Sequence, residues 1–234
     1  MDKIDVLPCV NGDPGFVRLV ESMGNDLSIV RSARVSYNCD WRPDKGRPSD
    51  TTVNNDERLI KYLYKNKHTS PFEAVSFTFE VKAPILVFRQ WHRHRTWSYN
   101  EVSARYTELD EGFYVPDIEN ITTQSTSNKQ MRTTEQHPKA QKLANDLHLA
   151  QLHSFTVYKE LLSEGMPREL ARSVLPVGAY SRMFATVDLH NLFHFLKLRL
   201  HEHAQYEIRV YAEAIFKLIQ PIVPVALASF QNNQ

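Results

Sequence analysis

The sequence predicts an α+β protein, mostly helical, with a small, mainly antiparallel sheet. Three features of the chain carry that assignment. Apolar residues recur at helical spacing through most of the chain, while period-two alternation is confined to short stretches. Helices and strands do not alternate as βαβ units. No GxGxxG follows a strand and no GxxxxGK[ST] occurs, so the predicted fold is non-Rossmann.

Asn38 to Asn55 (NCDWRPDKGRPSDTTVNN) carries two prolines, a glycine and few apolar residues, and reads as a loop. From Asp56 to Lys65, Leu59, Ile60 and Leu63 fall at helical spacing. Val75, Phe77, Phe79 and Val81 then alternate with Ser76, Thr78, Glu80 and Lys82, as in a half-buried strand. Pro84 suits the first position of a helix with Ile85, Phe88 and Trp91 on one face. That helix carries Arg89, Gln90, Arg93 and Arg95 toward its C-terminal end, where the dipole favours cations. Pro116 to Pro138, rich in Thr, Ser, Asn and Gln, reads as a second loop; loops this long often act as lids or contact surfaces.

Pro138 opens a long amphipathic helix through Leu143, Leu147, Ala150 and Phe155, ended by Gly165. Pro167 begins a short helix that stops at Pro176. Tyr180 to Val187 is a candidate strand, and Asp188 an N-cap for a helix through Leu192, Phe193, Leu196 and Leu200. A further helical stretch runs from Gln205 to Gln220. With no internal repeat and no separating linker, residues 1–234 read as one domain.

The composition excludes several classes. Of 234 residues, 42% are hydrophobic and 11% aromatic, too apolar for global disorder. No run of eighteen apolar residues predicts a membrane span, and the N-terminus lacks the basic head and apolar stretch of a signal peptide. Two cysteines, Cys9 and Cys39, make neither a disulfide framework nor a zinc cluster, so a reducing, cytoplasmic setting is expected. His190 and His194 are spaced i, i+4 as some zinc ligands are, but no third ligand fits and no metal is expected.

Net charge is only +1, yet Arg89, Arg93, Arg95 and Arg105 face a single acid, Glu101, within seventeen residues. Arginine forks suit phosphates and carboxylates. Ser98, Asn100 and Ser103 add neutral donors, and Trp91, Trp97, Tyr99 and Tyr106 offer flat faces for a ring. A nucleotide-phosphate site leads, against a solvated helix end with snorkelling arginines and a stacking groove for single-stranded nucleic acid. The near-neutral net charge argues against the last, so no stable nucleic-acid partner is expected.

Arg93-His94-Arg95, seven residues, then Ser103 resembles the signature of the flavin-dependent thymidylate synthases, and Asn100, Glu101, Arg105 and Tyr106 extend the match. Ala33 to Tyr37, His68-Thr-Ser-Pro-Phe-Glu73, Arg168 to Pro176 and Leu198 to Gln205 fall in that family's order. The resemblance implies an α+β enzyme that makes dTMP from dUMP. Methylenetetrahydrofolate supplies the carbon, and FAD reduced by NADPH supplies the hydride. It also implies a homotetramer whose sites are shared between chains, with FAD in an extended groove.

Carried over residue by residue, Gln90, Arg93, Glu101, Ser103 and Arg105 resemble dUMP contacts, joined by Arg172 of a neighbouring chain. Arg199 resembles the arginine that faces and polarises the uracil ring. Ser36, Ser70, Glu73, His94, Arg95, Asn100, His194 and His203 fall in the FAD groove, and His68 at a histidine associated with the flavin ring and methylene transfer. Ser103 as a nucleophile needs an adjacent base, and Glu101 points elsewhere in most local geometries, so ligand contact is the stronger reading. Cys9 lacks the cationic neighbours that a nucleophilic thiol needs and reads instead as a small strand residue. The chain departs from the family where many members have a second histidine after PFE, here Ala74. It departs again at Asp188, His190 and His194, where Asn and Arg are frequent.

Overall fold

In the computed structural model, which describes residues 3–36 and 50–233 (50–54 by backbone alone), the strand expected from Val75 onward is β3 (Ser76–Pro84). It lies at the middle of a five-stranded antiparallel sheet. On one side it pairs with β2 (Phe16–Met23), and beyond that comes β1 (Lys3–Asp5). On the other it pairs with β7 (Tyr180–Asp188), which carries β4 (Ser98–Glu101) at the edge. The pleat sorts the side chains. Phe77, Phe79, Val81, Ala83, Met183, Ala185 and Val187 are buried on the inner face, while Arg182, Phe184 and Thr186 alternate outward and are exposed.

Among the helices that join the inner face in one apolar core are α3 (Ile85–Trp91), α6 (Leu189–Arg199) and α7 (Tyr206–Ile219). Trp91, Phe195 and Tyr211 are fully buried there. As expected, Asp188 caps α6, its carboxylate accepting from the Asn191 amide at 2.9 Å and from Asn191 Nδ2 at 2.6 Å. α4 (Ala140–Ser163) ends before Gly165, whose φ of 83° is the left-handed conformation glycine adopts freely. With α5 (Arg168–Ala171) it builds a second apolar cluster around Phe113, Phe155 and Tyr158.

Four expectations need correction. First, α3 stops at Trp91, so Arg93 and Arg95 lie in the turn beyond it. The Tyr99 hydroxyl donates to the carbonyls of Trp91 (3.1 Å) and His94 (2.8 Å), tying that turn to β4. Second, helix α2 spans Asp50–Lys65, so the last part of the Asn38–Asn55 loop is helical; its polar start hid it. The remainder of that loop, with Cys39, lies outside the described residues. Third, the Pro116–Pro138 segment contains a hairpin, β5 (Thr122–Gln124) and β6 (Arg132–Gln136), pinned by Arg132 to the buried Glu207 of α7 at 3.1 Å. Fourth, Cys9 is in no strand.

The helices α1 (Asp26–Val35) and α8 (Pro224–Gln231) were not foreseen and support each other. Asp26 accepts hydrogen bonds from the Val225 and Ala226 amides at 2.8 and 3.0 Å, satisfying the open N-terminus of α8.

Candidate active site

The end of α6 brings Arg199 against the turn that follows α3. Its Nε donates to Nε2 of His94 at 3.0 Å and its Nη2 to the Gln90 carbonyl at 3.2 Å. His94 is 6% exposed, wedged edge-on against Phe195 with ring centroids 4.9 Å apart. Burial, then the Arg199 guanidinium, then His194 bring its pKa from 6.5 down to about 4. At neutral pH His94 is therefore uncharged, with Nε2 as acceptor and the proton on Nδ1. Partial burial lowers the Arg199 pKa as well, but a guanidinium stays charged at neutral pH. The result is a fixed cation aimed by a neutral imidazole, with further N–H groups left over for a ligand. The Gln90 side chain does not stand free; its Nε2 donates to Oε1 of Gln205 at the N-cap of α7.

Beside this centre lies a cleft of about 480 Å³ between the end of α2 and α6. Tyr64, Phe72 and Phe193 form an aromatic wall, and His68, His190 and His194 lie around it. His194 lines the cleft, and its ring lies 6.1 Å from that of His94. His68 and His194 thus share the cleft, and His194 neighbours His94, the hydrogen-bond partner of Arg199. Ser70 and Glu73 follow directly on a 3₁₀ turn (Ser70–Ala74) anchored by buried Pro71 and Phe72 and packed against α1 and α6. Ser36 sits at the C-cap of α1.

Other expected site residues are not gathered at this centre within the chain. Neighbouring residues on β4 point to opposite faces: Asn100 pairs with the exposed Phe184 on the outer face, whereas Tyr99 turns inward. Arg93 and Arg95 are exposed and make no ion pair among the described residues. Ser103 opens a tight turn, its Oγ accepting from the Arg105 amide at 3.3 Å, and no base bonds it among the described residues. Arg105 lies 3.6 Å from the Glu169 carboxylate, while Arg172 Nε donates to the Glu169 carbonyl at 3.3 Å. Arg105 and Arg172 therefore meet at α5 as a second group. His203 lies in a separate groove of about 600 Å³ between the hairpin and the start of α7, with Arg132 and Arg209.

Burial raises the pKa of the Cys9 thiol; Lys82 opposes this, and Asp13 and Asp110 add to it. No three potential metal-ligating side chains converge among the described residues, and no described helix is long and apolar enough to cross a membrane. Two roles escape sequence reasoning. Gln205 stands inside a recognised motif but gains its role only by meeting Gln90 across 115 positions. Tyr99 reads as a stacking surface, yet its hydroxyl bonds shape the turn that carries His94.

Known proteins resemble this chain over most of its length. Residues 18–225 match the family model Thy1, thymidylate synthase complementing protein. The chain is 48% identical to the flavin-dependent thymidylate synthase of Treponema denticola over 95% of this chain and 81% of that one. It is 47% identical to an enzyme of the same name from Thermus thermophilus, over 94% and 77%. Among solved structures it is similar to the UMP/dUMP methylase PolB of Streptomyces cacaoi bound with 5-Br dUMP. That match has a TM-score of 0.84 and 35% identity, and covers 94% of this chain and 96% of that one.

Proposed function

Because the chain belongs to the flavin-dependent thymidylate synthase family, we propose that it methylates dUMP reductively to dTMP. 5,10-Methylenetetrahydrofolate is the carbon donor and FAD, reduced by NADPH, the hydride source. The observation that carries this reading is the Arg199 guanidinium, held by neutral His94 beside an aromatic, histidine-lined cleft. That lining fits a flavin nucleotide: aromatic side chains suit the ring system, and among the described residues no carboxylate lines the cleft to repel its phosphates. When bound, the flavin supplies the hydride that becomes part of the new methyl group.

The chain's own residues bind, orient and polarise. Arg199 is placed to stabilise negative charge developing in the pyrimidine as C5 becomes nucleophilic, and a preorganised cation does this without reorganising at the moment of reaction. His94 and the Gln90 carbonyl fix its direction; Gln205 fixes Gln90 in turn. His68 lines the cleft where the carbon donor and the flavin ring meet. Ser103, Arg105 and Arg172, with Arg93 and Glu101, bind the nucleotide, the arginines taking its phosphate.

No enzyme cysteine acts as nucleophile. The raised pKa of Cys9 supports this, as does its packing, with Sγ against Gly12 and Gly112. Assembly as a homotetramer accounts for two further features. The outer sheet face is uncovered in the single chain, with Phe184 44% exposed, and the Arg105–Arg172 group stands apart from Arg199. Sites shared between chains bring the two groups together. Residues 1–234 act as one catalytic unit in the cytoplasm, where the nucleotide, folate and NADPH are available.

The test is tritium release from dUMP labelled at C5, with methylenetetrahydrofolate and NADPH, with and without FAD. Release that requires flavin is expected; its absence in protein that visibly binds flavin would overturn the reaction while leaving the fold. Arg199→Ala should lower turnover about 10²–10³-fold with flavin still bound, and turnover that survives would remove the polarising role.

A further inference from the structure

Lys67 lies just past the last turn of α2 with a φ of 57°. This is the left-handed region, where a side chain is strained and glycine is the usual residue after a helix. The hydrogen bonds are those of a helix-ending motif: the His68 amide donates to the Leu63 carbonyl at 2.9 Å and the Lys67 amide to that of Tyr64 at 3.1 Å. The backbone therefore calls for glycine, and what lysine adds is its side chain. Strain retained in the wall of a binding cleft points to a role for the strained residue.

Lys67 lines the cleft beside α6, together with Lys65 and Lys197. Among the described residues no carboxylate lines this cleft, and none of the three ammonium groups makes an ion pair. The acid at the head of α6, Asp188, is committed to capping that helix. Elsewhere helical lysines do find acids, as Lys61 with Glu57 and Lys142 with Asp146. Cations of one sign in a concave wall repel one another, and such a wall concentrates anions.

We propose that Lys67, with Lys65 and Lys197, forms a phosphoryl-recognising wall in this cleft that selects a flavin carrying a diphosphate over one without phosphate. The proposal rests on the flavin reading above and adds the residues that choose FAD. Lys67 holds the dinucleotide at the expense of folding stability, and Lys197 approaches from the facing helix.

The test uses full-length, flavin-free protein titrated with FAD and with riboflavin, followed by quenching of flavin fluorescence. Lys67→Gly should raise the Tm of the flavin-free protein by about 2–4 °C, by relieving the left-handed strain. It should also weaken FAD binding about three- to tenfold and leave riboflavin unchanged. Lys197→Gln should weaken FAD alone without the gain in Tm, and Lys67→Arg should restore FAD affinity. Unchanged FAD affinity in both variants, or equal losses for FAD and riboflavin, would overturn the proposal. So would unchanged FAD affinity with a raised KM for polyglutamylated but not monoglutamylated methylenetetrahydrofolate, which would reassign the lysines to folate carboxylates. A wild-type chain that binds neither flavin would instead overturn the flavin reading itself, before any variant is compared.

Discussion

Acidification should separate the folded and unfolded chains at His94. The folded imidazole titrates near pH 4 because it is buried against Phe195 with a guanidinium on Nε2, whereas the unfolded side chain titrates near its ordinary 6.5. Between those values the unfolded state takes up a proton that the folded state refuses. Stability from this group is therefore complete above about pH 6.5 and is lost as pH falls toward 4. Over the interval from pH 7 to pH 5 the two titrations differ by about 2 kcal/mol. His94→Gln removes the titration but keeps a carbonyl oxygen able to accept from Arg199. Urea unfolding of both proteins at pH 7 and pH 5 isolates the effect, because titrating groups away from His94 cancel in the comparison. The wild type should lose about 2 kcal/mol more than the variant over that interval. Parallel losses, within about 0.5 kcal/mol, would show that burial and Arg199 do not hold His94 neutral and would remove it as the residue that aims the guanidinium.

Two further predictions follow from local geometry. Ser103→Ala should raise the KM for dUMP about three- to tenfold and keep measurable turnover, as steady-state kinetics would show; complete loss of turnover with normal dUMP binding would revive Ser103 as a nucleophile. Gly15→Ala should destabilise the fold by about 2–3 kcal/mol in urea unfolding, because the added Cβ would lie 2.2 Å from the Tyr211 hydroxyl and 2.9 Å from the Lys82 carbonyl. An unchanged midpoint would mean that β2 and α7 can part at little cost.

The elements that the chain's pattern announced are those whose apolar period is strong and whose ends carry stop signals. β3 alternates cleanly from Ser76, α4 runs to its glycine, and Asp188 caps α6. The misjudged elements lack such signals. α2 begins in a polar run, Asp50 to Asn55, and the β5–β6 hairpin is held by Arg132 reaching Glu207, 75 positions away. α3 looked longer than it is because its arginines continue a helical spacing that Tyr99, from a strand eight residues on, interrupts.

For the active site the division is similar. The residue types and spacing from Arg89 to Tyr106, with the four other motifs, determined the family, since those depend on local order along the chain. Which side chains share a cavity depends on contacts between distant segments. Arg199 meets His94 across 105 positions, and Gln90 meets Gln205 across 115. The pleat of β4 sends Asn100 away from Tyr99 although they are adjacent. The neutral state of His94 is likewise absent from its neighbours in sequence; it arises from burial and from a guanidinium delivered by another helix. Lys67 lies between the two cases. Its missing glycine stands in the sequence, but the strain and the cleft that give the lysine meaning are properties of the folded chain alone.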